Sequence, residues 1–319
     1  MSKFKSFLSP RIEEFIAYRN VSRMWNSTYE RSLMKFDKYC FTNCPDVKIL
    51  TQELVNGWCK QRDSELKNSC RTRIYAVVNL ILYLRARGET EVNPPELPKW
   101  ESSTYIPHAF TDEELKNFFD ACDSLPVSRA QHGQAGKLIW PTFFRLLYSS
   151  GIRTTEARLL RVENVDLRYG FLDIRYSKGN DQHYVVLHNS MTELMSRYDD
   201  AVSRLYPNRE FFFPAKNGKN YSRHRVNHVF QELWRKTNST HAVAYDFRHH
   251  YAVTNINRWI GEGFNFDDKL LYLSKSMGHY DVRSTKHYYS LVPGFADILE
   301  EQTNADFEDI VPEADYEKI

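Results

Sequence analysis

The sequence predicts a mainly α-helical chain with one small antiparallel β-sheet: a helical first domain followed by a mixed α+β second domain. Three observations carry this prediction. Apolar residues recur at helical spacing through residues 1–100 and again from residue 111 onward. Between these stretches Pro94, Pro95, Pro98 and Pro107 break the period, as a semi-extended linker does. Three short β-rich runs with turn signals between them lie in the second half.

The elements follow in order. Ser9-Pro10 opens a helix over residues 11–20, with Pro where a missing N–H costs nothing. Ser27 and Glu30 form a capping-box pair before a helix striped by Tyr29, Leu33 and Phe36. Thr51 caps a third helix whose Leu54, Val55 and Trp58 face inward. Ser69 opens the strongest helix, with Ile74, Val77, Val78, Ile81 and Leu84 on one stripe and Gly88 at its stop. Four helices make a bundle. This segment carries 17 Lys+Arg against 11 acidic residues, a balance of +6.

The second domain starts at Thr111 and Glu114, another capping box, leading into Leu115, Phe118 and Phe119. Residues 137–150 read as an apolar helix with Pro141 either near its first turn or kinking it, and 155–161 as a short helix. Residues 165–167, 171–176 and 183–187 read as strands, with turns at Tyr169-Gly170 and Gly179-Asn180-Asp181. Helices return with a capping box at Ser190 and Glu193, and with Val226, Val229, Phe230 and Leu233 after Ser222. The expected boundaries are 1–100, 101–292 and a tail over 293–319.

Composition narrows the function. A chain of 319 residues, 42% hydrophobic and 26% charged, is neither collagen-like nor low in complexity. No apolar run reaches the ~18 residues of a membrane-spanning helix, and the N-terminus lacks the apolar core of a secretory signal. Five scattered Cys suit reduced thiols and a cytoplasmic location, and Cys40 and Cys44 lack a second pair at zinc spacing, so no metal is expected. The net charge of +2 hides an asymmetry. Residues 1–290 hold 42 basic against 32 acidic residues, a balance of +10; residues 291–319 hold one against nine, a balance of −8. A basic body points to a polyanion, and an acidic tail either masks that surface or docks on one.

Gly-rich phosphate loops, GxSxG elbows, HExxH helices and EF-hand loops are absent from the sequence. Arg153 instead stands at a helix start, Lys178 in a hairpin turn, Arg248 in Tyr245-Asp246-Phe247-Arg248-His249-His250, and His279 after Gly278, with Tyr288-Tyr289 following. Singly, each has an ordinary explanation: an ion pair with Glu156, a solvated lysine, a helix C-cap, half-buried core. Together and in order they form a pattern.

Gly151-Ile152-Arg153-Thr154-Thr155-Glu156 resembles the Gly-x-Arg-x-x-Glu box of the tyrosine recombinase (phage integrase) family. Tyr176-Ser177-Lys178-Gly179-Asn180 resembles its hairpin-lysine motif, Tyr245–Arg248 its His-x-x-Arg box, and Met277-Gly278-His279 with Tyr288 its Leu-Gly-His…Tyr segment. The resemblance covers about residues 105–290, and the first domain is similar to the family's core-binding domain, which implies that its helices, particularly 69–88 with Arg71 and Arg73 near its start, would lie against DNA grooves. It implies a two-domain recombinase of the Cre/Xer kind, closing on duplex DNA as its partner. Tyr288, nine residues after His279, would be the nucleophile forming a 3′-phosphotyrosine. Arg153 and Arg248, which never deprotonate, would grip the phosphate with His279, standing in for a metal. Lys178 would protonate the leaving 5′-hydroxyl. Glu156 and Asp246 would orient the arginine-bearing helices, and Arg158, Arg161, Arg223 and Arg225 are either phosphate contacts or ordinary surface charge.

The resemblance further implies no cofactor and no ATP, a homotetramer on paired DNA sites assembled through the C-terminal tail, and a nucleoid location. The few residues before residue 9 lead us to expect a simple recombination site without distal arm sequences. The departure is Tyr245, a phenol where the family has imidazole: it donates a hydrogen bond but does not shuttle protons near pH 7. Two alternatives stay open at this point, a non-catalytic DNA-binding relative and a nicking-closing enzyme of the type IB topoisomerase class.

Overall fold

The computed structural model describes residues 3–22, 27–43, 45, 47–101, 105–126, 131–175, 182–259 and 266–279. Lys178, Tyr288 and the acidic tail lie outside the described residues. The chain divides into two units, Met1–Tyr105 and Ile106–Ile319.

The first unit holds α1 (Ser9–Val21), α2 (Ser27–Asn43), α3 (Gln52–Cys59) and α4 (Lys67–Arg85). Ala76, Val77, Leu80 and Ile81 of α4 form the centre, packed with Ile12 and Phe15, Leu33 and Phe36, and Val55 and Trp58. Thr51 caps α3 as expected, its hydroxyl accepting from Leu54 N–H at 3.3 Å. The starts of α1 and α4 differ. Leu8 occupies the cap position of α1, while Ser9 Oγ donates to Phe4 O. The entry is pinned by Asp37 of α2, which accepts from the main-chain N–H of Lys5 and Ser6 and from the Ser6 hydroxyl. The last helix begins at Lys67, with Ser69 inside its first turn.

Arg73 also departs from expectation. It is 7% exposed and faces inward, donating to both oxygens of Glu65 and to the carbonyls of Trp58 and Lys60. Its partner stands eight residues earlier, outside the helical i,i+4 relation. Arg71 donates to Pro98 O.

The second unit holds α5 (Asp112–Asp123), α6 (Gln131–Ser150), α7 (Thr154–Leu159), a 3-10 turn (Val162–Asn164), β1 (Val165–Asp166), β2 (Phe171–Ile174), β3 (His183–Val186), α8 (Asn189–Leu205), α9 (Arg223–Thr237), α10 (Asp246–Trp259) and α11 (Phe266–Ser276). The strands pair antiparallel in the order β1-β2-β3, with Leu172 opposite both Val165 and Val185. The mainly helical plan with one small antiparallel sheet is the one the sequence predicts. The capping box at Thr111 and Glu114 is present with both of its hydrogen bonds. Ser222 caps α9.

Two helices start elsewhere than expected. Residue His188, not Ser190, caps α8. Pro141 lies inside α6 rather than in its first turn, because the helix extends back to Gln131. Its ring removes one ladder bond, and beside it the Thr142 hydroxyl donates to Leu138 O at 3.1 Å.

Phe143, Phe144, Leu146 and Leu147 make α6 the centre of the second core. Phe247 of α10 joins it, stacking on Phe110 at 5.0 Å and meeting Phe118 and Phe230 edge-on. Aromatic contacts of this kind add about 0.5–1.5 kcal/mol each beyond area burial. They fix the rotation of α10 about its axis, and with it the direction of the next residue, Arg248.

Candidate active site

The site is assembled at three chain turns. The first is Gly151, whose φ of 63° lies in the left-handed region and where a Cβ would collide with the Tyr251 ring. Glycine is therefore required twice over, and it leaves Gly151 O directed at Arg248. Two residues on, Arg153 sits at the N-terminus of α7 in extended conformation. The Glu156 carboxylate, with its side chain fully buried, accepts from the Arg153 main-chain N–H at 2.7 Å and from Nη1 at 2.5 Å.

The second turn is the start of α10. Asp246, fully buried, accepts from Val243 N–H at 2.8 Å and closes the first turn of the helix. Arg248 is 1% exposed. Its Nη1 donates to Gly151 O at 2.7 Å, and its Nη2 donates to Met277 O at 2.6 Å and to His279 Nε2 at 2.8 Å.

The third turn ends α11. Gly278, with φ 62°, sends its N–H to Lys275 O, and His279 N–H reaches back to Ser274 O. These are the two hydrogen bonds of a Schellman cap. The cap reverses the chain so that Met277 O faces Arg248 while Gly278 O accepts Arg153 Nη2 at 2.7 Å.

Three of the sequence-predicted residues, Arg153, Arg248 and His279, thus converge from separate segments. The two guanidiniums are aimed by carbonyls 125 and 29 positions away in sequence. Burial, followed by the charges of Arg248, Arg153 and His183, pushes the His279 imidazole down to about 4. His279 is therefore neutral at pH 7 and accepts through Nε2, so Nδ1 carries the ring proton. Nε2 is engaged by Arg248.

Tyr245 lies one turn before Arg248, 43% exposed, with its ring edge-on to His249 at 5.1 Å. His250 stacks on Tyr148 and meets Phe110 on the core side, and burial lowers its pKa. Of the outer arginines, Arg158 donates to Tyr221 O and Arg161 pairs with Glu210 at 2.8 Å. One residue escaped the reading of the sequence. His183, at the head of β3, lies against Gly278. The signal was strand alternation, which puts it on the same side as buried Val185.

The geometry defines two directed guanidiniums around a neutral imidazole, an arrangement suited to holding an anion with three or more oxygens. Comparison with known proteins agrees. The phage integrase family model matches residues 108–293. The chain belongs to that family, the tyrosine recombinases, and its class is that of the tyrosine-type site-specific recombinases. It is 27% identical over 292 residues to the tyrosine recombinase XerD of Staphylococcus epidermidis, covering 87% of this chain and 92% of that protein. The fold is similar to the Tn1549 transposon integrase in complex with transposon right end DNA (TM-score 0.62, 13% identity, 94% of this chain and 100% of that one). It is also similar to a lambda integrase tetramer bound to a Holliday junction (TM-score 0.57, 14% identity, 88% and 76%). Among the described residues no helix is long and apolar enough to cross a membrane.

Proposed function

We propose that the protein cuts and rejoins duplex DNA at specific sites through a covalent 3′-phosphotyrosine, using only its own side chains. The observation that carries this reading is the convergence of Arg153, Arg248 and His279 on one point. The Tyr288 hydroxyl attacks the scissile phosphorus and gives up its proton to solvent water; a new P–O bond to the phenol forms as the bond to the 5′ oxygen breaks. Lys178 gives a proton to that leaving oxygen. The two arginines hold the non-bridging oxygens as charge builds in the pentacoordinate transition state, with His279 Nδ1–H beside them. Tyr245 adds one hydrogen bond from its phenol. Because the phosphotyrosine conserves the phosphodiester linkage, a free 5′-hydroxyl reverses the step without ATP.

The partners proposed are double-stranded DNA and three further copies of the chain on paired sites, as in the lambda integrase tetramer. The basic balance of residues 1–290 suits DNA, and the tail, with Phe295, Ile298, Leu299, Phe307, Ile310 and Val311 among its acids, suits docking on a neighbouring copy.

A nicked suicide substrate carrying the natural site tests the reading. Wild-type protein accumulates a covalent adduct, and Tyr288→Phe binds the DNA but forms none. Persistence of the adduct in Tyr288→Phe, or its absence from the wild type, contradicts the proposal.

A further inference from the structure

We infer that His183 is a positioning residue of the cleavage site, tying the β2–β3 hairpin to the Gly278 turn that aims both arginines. The inference rests on the recombinase reading above for its activity readout, and on geometry for the rest. In β3, Tyr184 and Val186 are exposed while Val185 is buried, so alternation turns His183 and Val185 toward the body of the unit. The last helix, α11, packs on β3. Their meeting point is Gly278, where a Cβ would lie 2.5 Å from His183 Cε1, 2.6 Å from Nδ1 and 3.0 Å from Nε2. The Cε1 edge of the imidazole is thus seated directly on the Gly278 α-carbon, with one ring nitrogen on each side. Glycine at 278 serves both the left-handed turn and this seat.

What rests on the seat is the acceptor set of the site. Gly278 O receives Arg153, Met277 O before it receives Arg248, and His279 Nε2 after it receives Arg248 again. A shift of the turn moves all three together. On the other side, the connection from β2 to His183 includes Lys178, the proposed acid, five residues earlier in sequence. His183 thus seats strand β3 against the turn that directs both arginines. Among the described residues, the charges that act on His279 at this junction are those of Arg248, Arg153 and His183. The charge of His183 adds to those of the arginines in opposing protonation of His279.

The test uses the full-length protein with His183→Ala and His183→Gln. Single-turnover adduct formation on the nicked substrate is measured at saturating protein, with DNA affinity, thermal melting and an NMR titration of the histidine Cε1–H signals. His183→Ala should slow adduct formation on the order of 10–100-fold, the effect of a small misplacement of reacting groups. Its affinity should stay within about threefold of wild type, a change in rate rather than binding. His183→Gln, planar and polar, should recover most of the rate. In both variants the midpoint of His279 should rise, because a positive neighbour is gone.

A wild-type rate in His183→Ala overturns the inference, as does a rate loss that merely follows melting and is not recovered by Gln. Absence of any adduct from the wild-type protein defeats the recombinase reading instead. In that event the NMR titration decides: an unmoved His279 midpoint overturns the coupling, and a raised one upholds it.

Discussion

Two buried arginines, Arg73 in the first unit and Arg248 in the second, are held by acceptors of different chemistry. Arg73 donates to both oxygens of Glu65, and its guanidinium lies over the Trp58 ring at 5.0 Å from the centroid. Charge meets charge, and the pair closes on itself. Arg248 donates to two main-chain carbonyls and a neutral imidazole. Those three acceptors fix its direction, and none of them cancels its charge. Arg153 is intermediate, with one nitrogen on Glu156 and the other on Gly278 O. Burial of an arginine is thus no sign of function by itself; in the proposed reading it is the chemistry of the acceptors that separates the brace at Arg73 from the phosphate grip at Arg248.

The comparison breaks first at the brace. Arg73→Ala leaves the part-buried Glu65 carboxylate without its partner, and an unsatisfied hydrogen-bonding group of this kind costs about 1–3 kcal/mol. Thermal or denaturant unfolding should register that loss in the first unit, while the cleavage rate of the molecules that remain folded is unchanged. A variant as stable as wild type would mean that Arg73 and Glu65 are not the brace described here.

Acid sharpens the contrast, since the two sites titrate in different windows. The hydrogen bond from Arg73 holds Glu65 down to about 2 from its ordinary 4.5. A depressed carboxylate stabilises the fold fully above pH 4.5, and that contribution is lost as pH falls toward 2. His279 is held down to about 4 from 6.5, so its neutral form favours the folded second unit above pH 6.5, and this is lost as pH falls toward 4. Acidification should therefore loosen the turn at Gly278 before it loosens α4. Hydrogen exchange at stepped pH, corrected for intrinsic rates, reads the order, and the reverse order would contradict the assignment.

The smallest effect is expected at Tyr245. An exposed phenol contributing one hydrogen bond should cost about 1 kcal/mol when changed to Phe, a factor of ten or less in cleavage rate. Tyr245→His should leave an active enzyme. A dead Tyr245→His variant would give the phenol a specific task of its own.

Much of this was legible in the sequence where the governing interaction is local. The caps at Thr51, Thr111 with Glu114, and Ser222 are hydrogen bonds between residues three apart, and they stand where the sequence placed them. The helix starts at Ser9, Ser69 and Ser190 were misplaced because packing and other side chains, Asp37 and His188 among them, set those ends. The same limit applies to Arg73, whose partner lies in the preceding loop. Within the site, the ordered boxes identified Arg153, Arg248 and His279, while the carbonyls that aim them belong to turns brought together only by the fold. His183 carries no motif at all. Its place follows from β3 packing on α11, which no spacing along the chain encodes.

The central claim, that Arg248 holds the scissile phosphate and Arg73 does not, is tested most directly by changing the substrate along with the protein. A nicked DNA in which a methyl group replaces one non-bridging oxygen of the scissile phosphate has lost the negative charge that Arg248 would hold. Arg248→Ala should slow cleavage of ordinary DNA on the order of 10²–10³-fold, the loss typical of one transition-state donor. On the methylphosphonate the same substitution should cost less than about tenfold, a coupling that Arg73→Ala does not share. Equal losses on both substrates for Arg248→Ala would contradict the account.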